Sequence, residues 1–85
     1  MKYKCPCCGY YTFSYQPNGN YDICPICFWE DDPQQLANEN LASGANKVSF
    51  RQARQNFIKF GACEKEMLVY VRKPIADEKV EQSNS

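Results

Sequence analysis

The residues in this 85-residue chain best equipped for chemistry are its six cysteines. They stand as Cys5-Pro6-Cys7-Cys8, Cys24-Pro25-Ile26-Cys27 and a distant Cys63. Each cluster holds a C-x2-C unit, and 15 residues separate Cys8 from Cys24. That spacing is the one structural zinc sites use. Two intervening residues let a tight turn aim both thiolates at one point about 2.3 Å from a tetrahedral ion. Proline after the first cysteine presets φ for that turn, and Gly9 tolerates the positive φ that closes the first one. Cys5, Cys8, Cys24 and Cys27 are therefore the expected metal ligands. Cys7 is expected to be a bystander thiol and Cys63 a small buried hydrophobe.

Four thiolates fill a tetrahedral shell. A closed site of this kind is structural, because catalysis needs an open position for water or substrate. One zinc ion is the expected cofactor, and iron in a rubredoxin-like site stays open as the alternative because it takes the same ligands. A disulfide framework fits less well, given the adjacent Cys7 and Cys8. A thioredoxin-like pair would want a βαβ context around one C-x2-C, and here two units flank a turn.

Composition narrows the rest. The chain has no histidine, which excludes Ser-His-Asp and Cys-His catalysis and the HExxH metalloprotease helix. No carboxylate pair has motif-level spacing and no glycine-rich phosphate loop is present, so no catalytic residue and no enzymatic activity are expected. A core this small rarely supplies more than ~3–5 kcal/mol, so a staple is required, and the metal would be that staple. Behind Met1-Lys2-Tyr3-Lys4 there is no apolar stretch of a secretory signal, and no run approaches the ~20 residues that span a bilayer. A cytoplasmic protein with reduced thiols and no membrane association is the expectation.

The net charge of zero hides three segments. Residues 1–48 carry three basic and five acidic side chains, residues 49–75 six and two, and residues 76–85 one and three.

The elements that must position the thiols are those of a small α+β zinc ribbon. Tyr10 to Tyr15 has strand chemistry. Gln16-Pro17-Asn18-Gly19-Asn20 signals a turn, and Tyr21-Asp22-Ile23 supplies a return strand, making a β-hairpin between the two CPxC knuckles. A long polar loop follows, with one helical turn near Pro33. Ser49 then caps an amphipathic helix with Gln52 completing a capping box, and Phe50, Ala53, Phe57 and Phe60 form its apolar stripe. Gly61 ends it. Met67 to Val71 is expected as a short buried strand stopped by Pro74, with a second helix from near Cys63 as the alternative. Residues 1–75 form the single domain, and 76–85 are expected to be a disordered polar tail.

Taken in order, Cys5-Pro6-Cys7-Cys8-Gly9-Tyr10, Cys24-Pro25-Ile26-Cys27-Phe28-Trp29-Glu30-Asp31-Asp32, Gly44-Ala45-Asn46, Ala53-Arg54, Phe60-Gly61-Ala62 and Val71-Arg72-Lys73-Pro74 resemble the bacterial CPCC cysteine-rich family. The resemblance spans about residues 3–74. It implies a small zinc-ribbon domain and no particular reaction. Such proteins are often encoded beside bacterial toxins, so it also implies an immunity protein that neutralises a cognate toxin. Trp29, Glu30, Asp31 and Asp32 are the candidate partner surface, an aromatic anchor beside acids that would suit a basic partner such as a nuclease. The competing possibility is that Trp29 and Phe28 pack over the metal site and the acids are merely solvated or cap a helix start at Pro33. Nucleic-acid binding through Lys2, Lys4, Tyr10, Tyr11 and Tyr15, extended by Arg51, Arg54 and Lys59 on the helix, is the alternative function, opposed by the zero net charge and the acids after the second knuckle.

Overall fold

The computed structural model describes residues 2–79. It is a small α+β structure in which two cysteine turns sit side by side. Strand β1 (Tyr3–Lys4) pairs antiparallel with β2 (Tyr11–Phe13), with Tyr3 opposite Phe13 and Lys4 opposite Tyr11.

This pairing differs from the expected hairpin. The strand that begins after Tyr10 folds back on the residues before Cys5, not onto Tyr21–Ile23. Ile23 instead forms a bridge with Glu30, reinforced by Tyr21 N donating to Asp31 O at 2.9 Å and Asp31 N donating to Asp22 O at 2.9 Å. Each C-x2-C turn thus draws its own flanks together. The turn at Asn18-Gly19 would close a loop no longer than these, so loop entropy does not choose between the pairings. That turn has a different task. Gly19 N and Asn20 N donate to Asp31 Oδ2 at 2.9 and 3.1 Å, and a Cβ on Gly19 would come within 2.5 Å of Pro33 Cβ.

The long segment after Trp29 contains helix α1 (Pro33–Ala37). Asp32 is its N-cap, with Oδ1 accepting from Gln34 N at 2.8 Å and Gln35 N at 3.2 Å, and Pro33 opens the first turn where a missing N–H costs nothing. The expected single helical turn is present. The rest of the loop is held by polar groups in the interior. Asp32 Oδ2 accepts from Ala45 N at 2.9 Å. Fully buried Gln35 puts Nε2 at 3.1 Å from the carbonyls of Leu41, Asn46 and Val48, and its Oε1 accepts from Asn46 N and Nδ2. Asn46 then pairs with the Glu30 backbone as a strand would, accepting from its N–H at 2.9 Å and donating to its carbonyl at 2.8 Å. Buried polar groups satisfied this completely can organise a segment that has too few apolar side chains to pack.

Helix α2 (Phe50–Phe60) runs as its sequence pattern predicts. Ser49 Oγ accepts from Gln52 N at 3.0 Å, and Gly61 stops the helix at φ +97° with its N–H on Phe57 O. Only half of the capping box forms, because Gln52 Nε2 donates to Asn56 Oδ1 instead of reaching back. Phe50 and Ala53 are buried, Phe57 and Phe60 half-buried. Trp29 lies against Phe50 with ring centroids 5.4 Å apart, and Tyr10 meets Phe57 edge-on at 6.1 Å.

The C-terminal part departs from expectation twice. Lys65–Val69 is a 3-10 helix, not a strand, so the helical alternative is nearer. Leu68 and Val69 are exposed and Met67 half-buried. With no strand alongside to pair with, the run satisfies its own backbone in a tight turn. Ala76–Lys79, expected to be disordered, forms the helical turn α3, which packs beside β2. Arg72 grips Glu78 in a two-point contact of 2.9 and 2.7 Å, and Ile75 N donates to Glu78 Oε1 at 2.9 Å. Residues 80–85 of the expected tail lie outside the described residues. No described helix is long and apolar enough to cross a membrane.

Candidate metal centre

The two cysteine turns are built alike. In the first, Gly9 N donates to Cys5 O at 2.8 Å and Cys5 N to Tyr10 O at 2.8 Å. In the second, Phe28 N donates to Cys24 O at 2.7 Å and Cys24 N to Trp29 O at 3.0 Å. The residue after each second cysteine must take positive φ to close the turn. Gly9 does so at +84° without a steric penalty, and Phe28 does so at +68° against one. The compensation at Phe28 is its ring, which stacks on Tyr70 at 5.1 Å and 22° and ties the 3-10 helix end to the second turn. Nothing in the pattern Cys-Pro-Ile-Cys-Phe signals this strain except the place where its counterpart has glycine.

These turns bring Cys5, Cys8, Cys24 and Cys27 together with all four Sγ atoms within 4.8 Å of one another. Cys5 and Cys27 Sγ are 3.7 Å apart, as are Cys8 and Cys24 Sγ. An ion about 2.3 Å from four tetrahedral sulfurs would hold them about 3.8 Å apart. The spacing is that of a tetrathiolate shell and far too long for a disulfide. Cys5, Cys24 and Cys27 are fully buried and Cys8 is partly so. The four lie close enough to hold a metal ion.

Four thiols in so small a volume cannot all ionise unaided. Cys24 is the favoured thiolate, held far below the ordinary thiol range by hydrogen bonds from Cys27, Cys5 and Cys8 and, further down in importance, from Thr12. Those bonds push Cys5, Cys8 and Cys27 upward, with burial adding to the effect. A cation at the centre would override that ordering, since a bound metal favours every thiolate at once. Around Cys24 the shell continues outward. Thr12 Oγ1 lies 3.1 Å from its Sγ, and Ile26 N donates to it at 3.4 Å. Thr12, on β2, therefore carries the first half of the molecule onto a ligand of the second, orienting it as outer partners do in metal sites.

Cys7 and Cys63 stay outside the cluster. Both are buried in the core. Burial pushes the Cys63 thiol up to about 12, and its backbone N–H donates to Cys27 O at 2.7 Å, which clamps the end of α2 to the second turn.

With this geometry, residues 3–78 match the family described as cysteine-rich CPCC. The chain belongs to the cysteine-rich CPCC family. No curated protein matched it. The family's match extends past the sequence-expected domain end at residue 75 and takes in Glu78, the partner of Arg72.

The proposed partner surface does not survive folding. Trp29 is fully buried, Asp31 is 1% exposed and Asp32 5%. Asp31 ties the Gly19 turn, Asp32 caps α1, and Glu30 is half-buried with its backbone held by Asn46. The side chains of Trp29, Asp31 and Asp32 serve the interior, and of the four only Glu30 is partly open to solvent. The residues that shape this CPCC centre without ligating it are Thr12, Phe28, Gln35 and Asn46. Of these, Phe28 stood in the motif after Cys27 and Asn46 in Gly44-Ala45-Asn46, while Thr12 and Gln35 stood in none. Gly44 there holds φ +142°, and a Cβ would lie 2.6 Å from Asp32 Oδ2.

Proposed function

We propose that this CPCC protein is a non-enzymatic binding module stapled by one structural zinc ion on Cys5, Cys8, Cys24 and Cys27. Its role is to neutralise a cognate bacterial toxin by direct contact. The observation that carries the non-enzymatic reading is the cluster itself: four thiolates at tetrahedral spacing leave no position for water or substrate. Zinc is the proposed occupant because C-x2-C pairs at this spacing are a structural zinc pattern, and iron accepts the same ligand set. When bound, the metal supplies folding energy and no reaction. The toxin reading rests on the resemblance carried by the separated motifs, and the buried acids no longer argue for a basic partner. Elemental analysis of protein purified without added metal is expected to return one zinc per chain, and iron at that stoichiometry would overturn the assignment. Co-expression with the toxin encoded by an adjacent gene is expected to restore growth and to co-purify the pair. Unchanged killing without co-purification would refute the immunity role.

A further inference from the structure

A cleft of about 700 Å³ separates the first cysteine turn from α2. Lys4 and Tyr10 line it from the first turn and its flanks, Phe50, Arg54, Phe57 and Ile58 line it from α2, and Cys8 is among the lining residues. Three observations make this face unlike the rest of the surface. Ile58 is 86% exposed, the most exposed large hydrophobic side chain among the described residues. Lys4 and Arg54 have no carboxylate partner among the described residues, and Arg54 lies only over the Phe50 ring at 5.7 Å. The other arginines are paired, Arg51 with Glu39 and Arg72 with Glu78. From Ser49 to Cys63 the chain contains no acidic residue at all.

We infer that this cleft is the docking site for an acidic segment of the partner protein, one that sets a large apolar side chain against Ile58 and Phe57 and carboxylates against Lys4 and Arg54. The inference rests on the binding-protein reading and deepens it by giving the partner's chemistry. Charge complementarity selects the occupant. Two isolated cations suit one or two carboxylates, whereas tracking a nucleic-acid backbone takes a run of positive charge and open aromatic platforms. Here Phe50 is buried and Phe57 and Tyr10 are packed edge-on against each other. An exposed aliphatic anchor rimmed by charge is the arrangement of a protein contact. An occupant would also cover Cys8, the ligand not fully buried, and so slow the escape of the metal.

The test uses the full zinc-loaded chain. A random 12-residue peptide library displayed on phage is selected against it, and the enriched peptides are synthesised and titrated by fluorescence anisotropy. Expected are peptides with Asp or Glu beside a large apolar residue. Their affinity should fall about fivefold in Arg54→Gln, the size of one lost exposed ion pair, and about tenfold in Ile58→Ser. Both variants should keep one zinc per chain, and bound peptide should slow zinc transfer to a chromogenic chelator. Enrichment without acidic bias, no enrichment, or affinities unmoved by both substitutions overturns the inference. So does tighter, salt-dependent binding of a 12-nucleotide single strand that Arg54→Gln abolishes. The selection needs no toxin: peptide binding without protection from killing refutes the immunity role alone, and protection undiminished by both substitutions refutes the cleft alone.

Discussion

Replacing Asp32 separates a surface role for the acidic run from an interior one. In the folded protein, Asp32 Oδ1 caps α1 through Gln34 and Gln35, and Oδ2 accepts from Ala45. Losing a cap of this kind costs about 1 kcal/mol, and leaving a buried N–H without its charged acceptor costs about 2 kcal/mol more. Asp32→Ala should therefore destabilise the zinc-loaded chain by about 3 kcal/mol, a shift of about 3 M in the urea midpoint for a slope near 1 kcal/mol/M. Asp32→Asn keeps an oxygen for the cap but turns an amide donor toward Ala45, so about half of that loss is expected. The carboxyl is held below its ordinary value chiefly by the Ala45 N–H, then by Gln35 and Gln34. Its stabilising effect is present above the unfolded-state value of about 3.9 and is lost as pH falls through the lower folded one. The gap between wild type and Asp32→Asn should therefore narrow in acid. A midpoint within about 0.5 M of wild type for Asp32→Ala, or equal losses for Ala and Asn, would refute the capping argument.

Serine at Cys5, Cys8, Cys24 or Cys27 should each abolish stoichiometric metal binding, whereas Cys7→Ser should retain it; metal analysis of the five variants decides, and the reverse result for Cys7 and Cys8 would reassign a ligand. At Phe28, glycine relieves the positive φ while losing the Tyr70 stack, and alanine loses the stack and keeps the strain. Denaturant titration should place Phe28→Ala about 1 kcal/mol below Phe28→Gly. The Arg72–Glu78 contact holds the Glu78 carboxyl below its usual range, so its stabilisation is complete at neutral pH and lost in acid as pH falls through the depressed value. Because Arg72 is half exposed, Glu78→Gln should cost no more than about 1 kcal/mol at pH 7. That difference, measured against wild type at each pH so that metal loss cancels, should vanish once Glu78 is protonated.

The four-cysteine cluster was legible because its signal is local. A C-x2-C turn is a property of four or five consecutive residues, and its repetition after 15 residues leaves few ways to place four thiols. Helix α2 was legible for the same reason, its cap, stripe and stop all lying within one stretch. The strand partner was not, since Asn18-Gly19 is a hairpin signal that yields to contacts with Asp31 and Pro33, residues more than ten positions away. Met67 to Val71 misled because an apolar run becomes a strand only where another strand offers its edge.

Sequence alone thus determined the four-cysteine cluster, the two closed turns and the amphipathic helix, all written in residues that act on near neighbours. Tertiary structure decided which strands pair, where the acids point and what holds the loop from Asn38 to Val48. Gln35 and Asn46 look like ordinary polar loop residues until folding surrounds them with backbone groups that lack other partners. Burial is a property of the assembled molecule, and it turned Trp29, Asp31 and Asp32 from a candidate surface into the interior while leaving Ile58 and Arg54 outside.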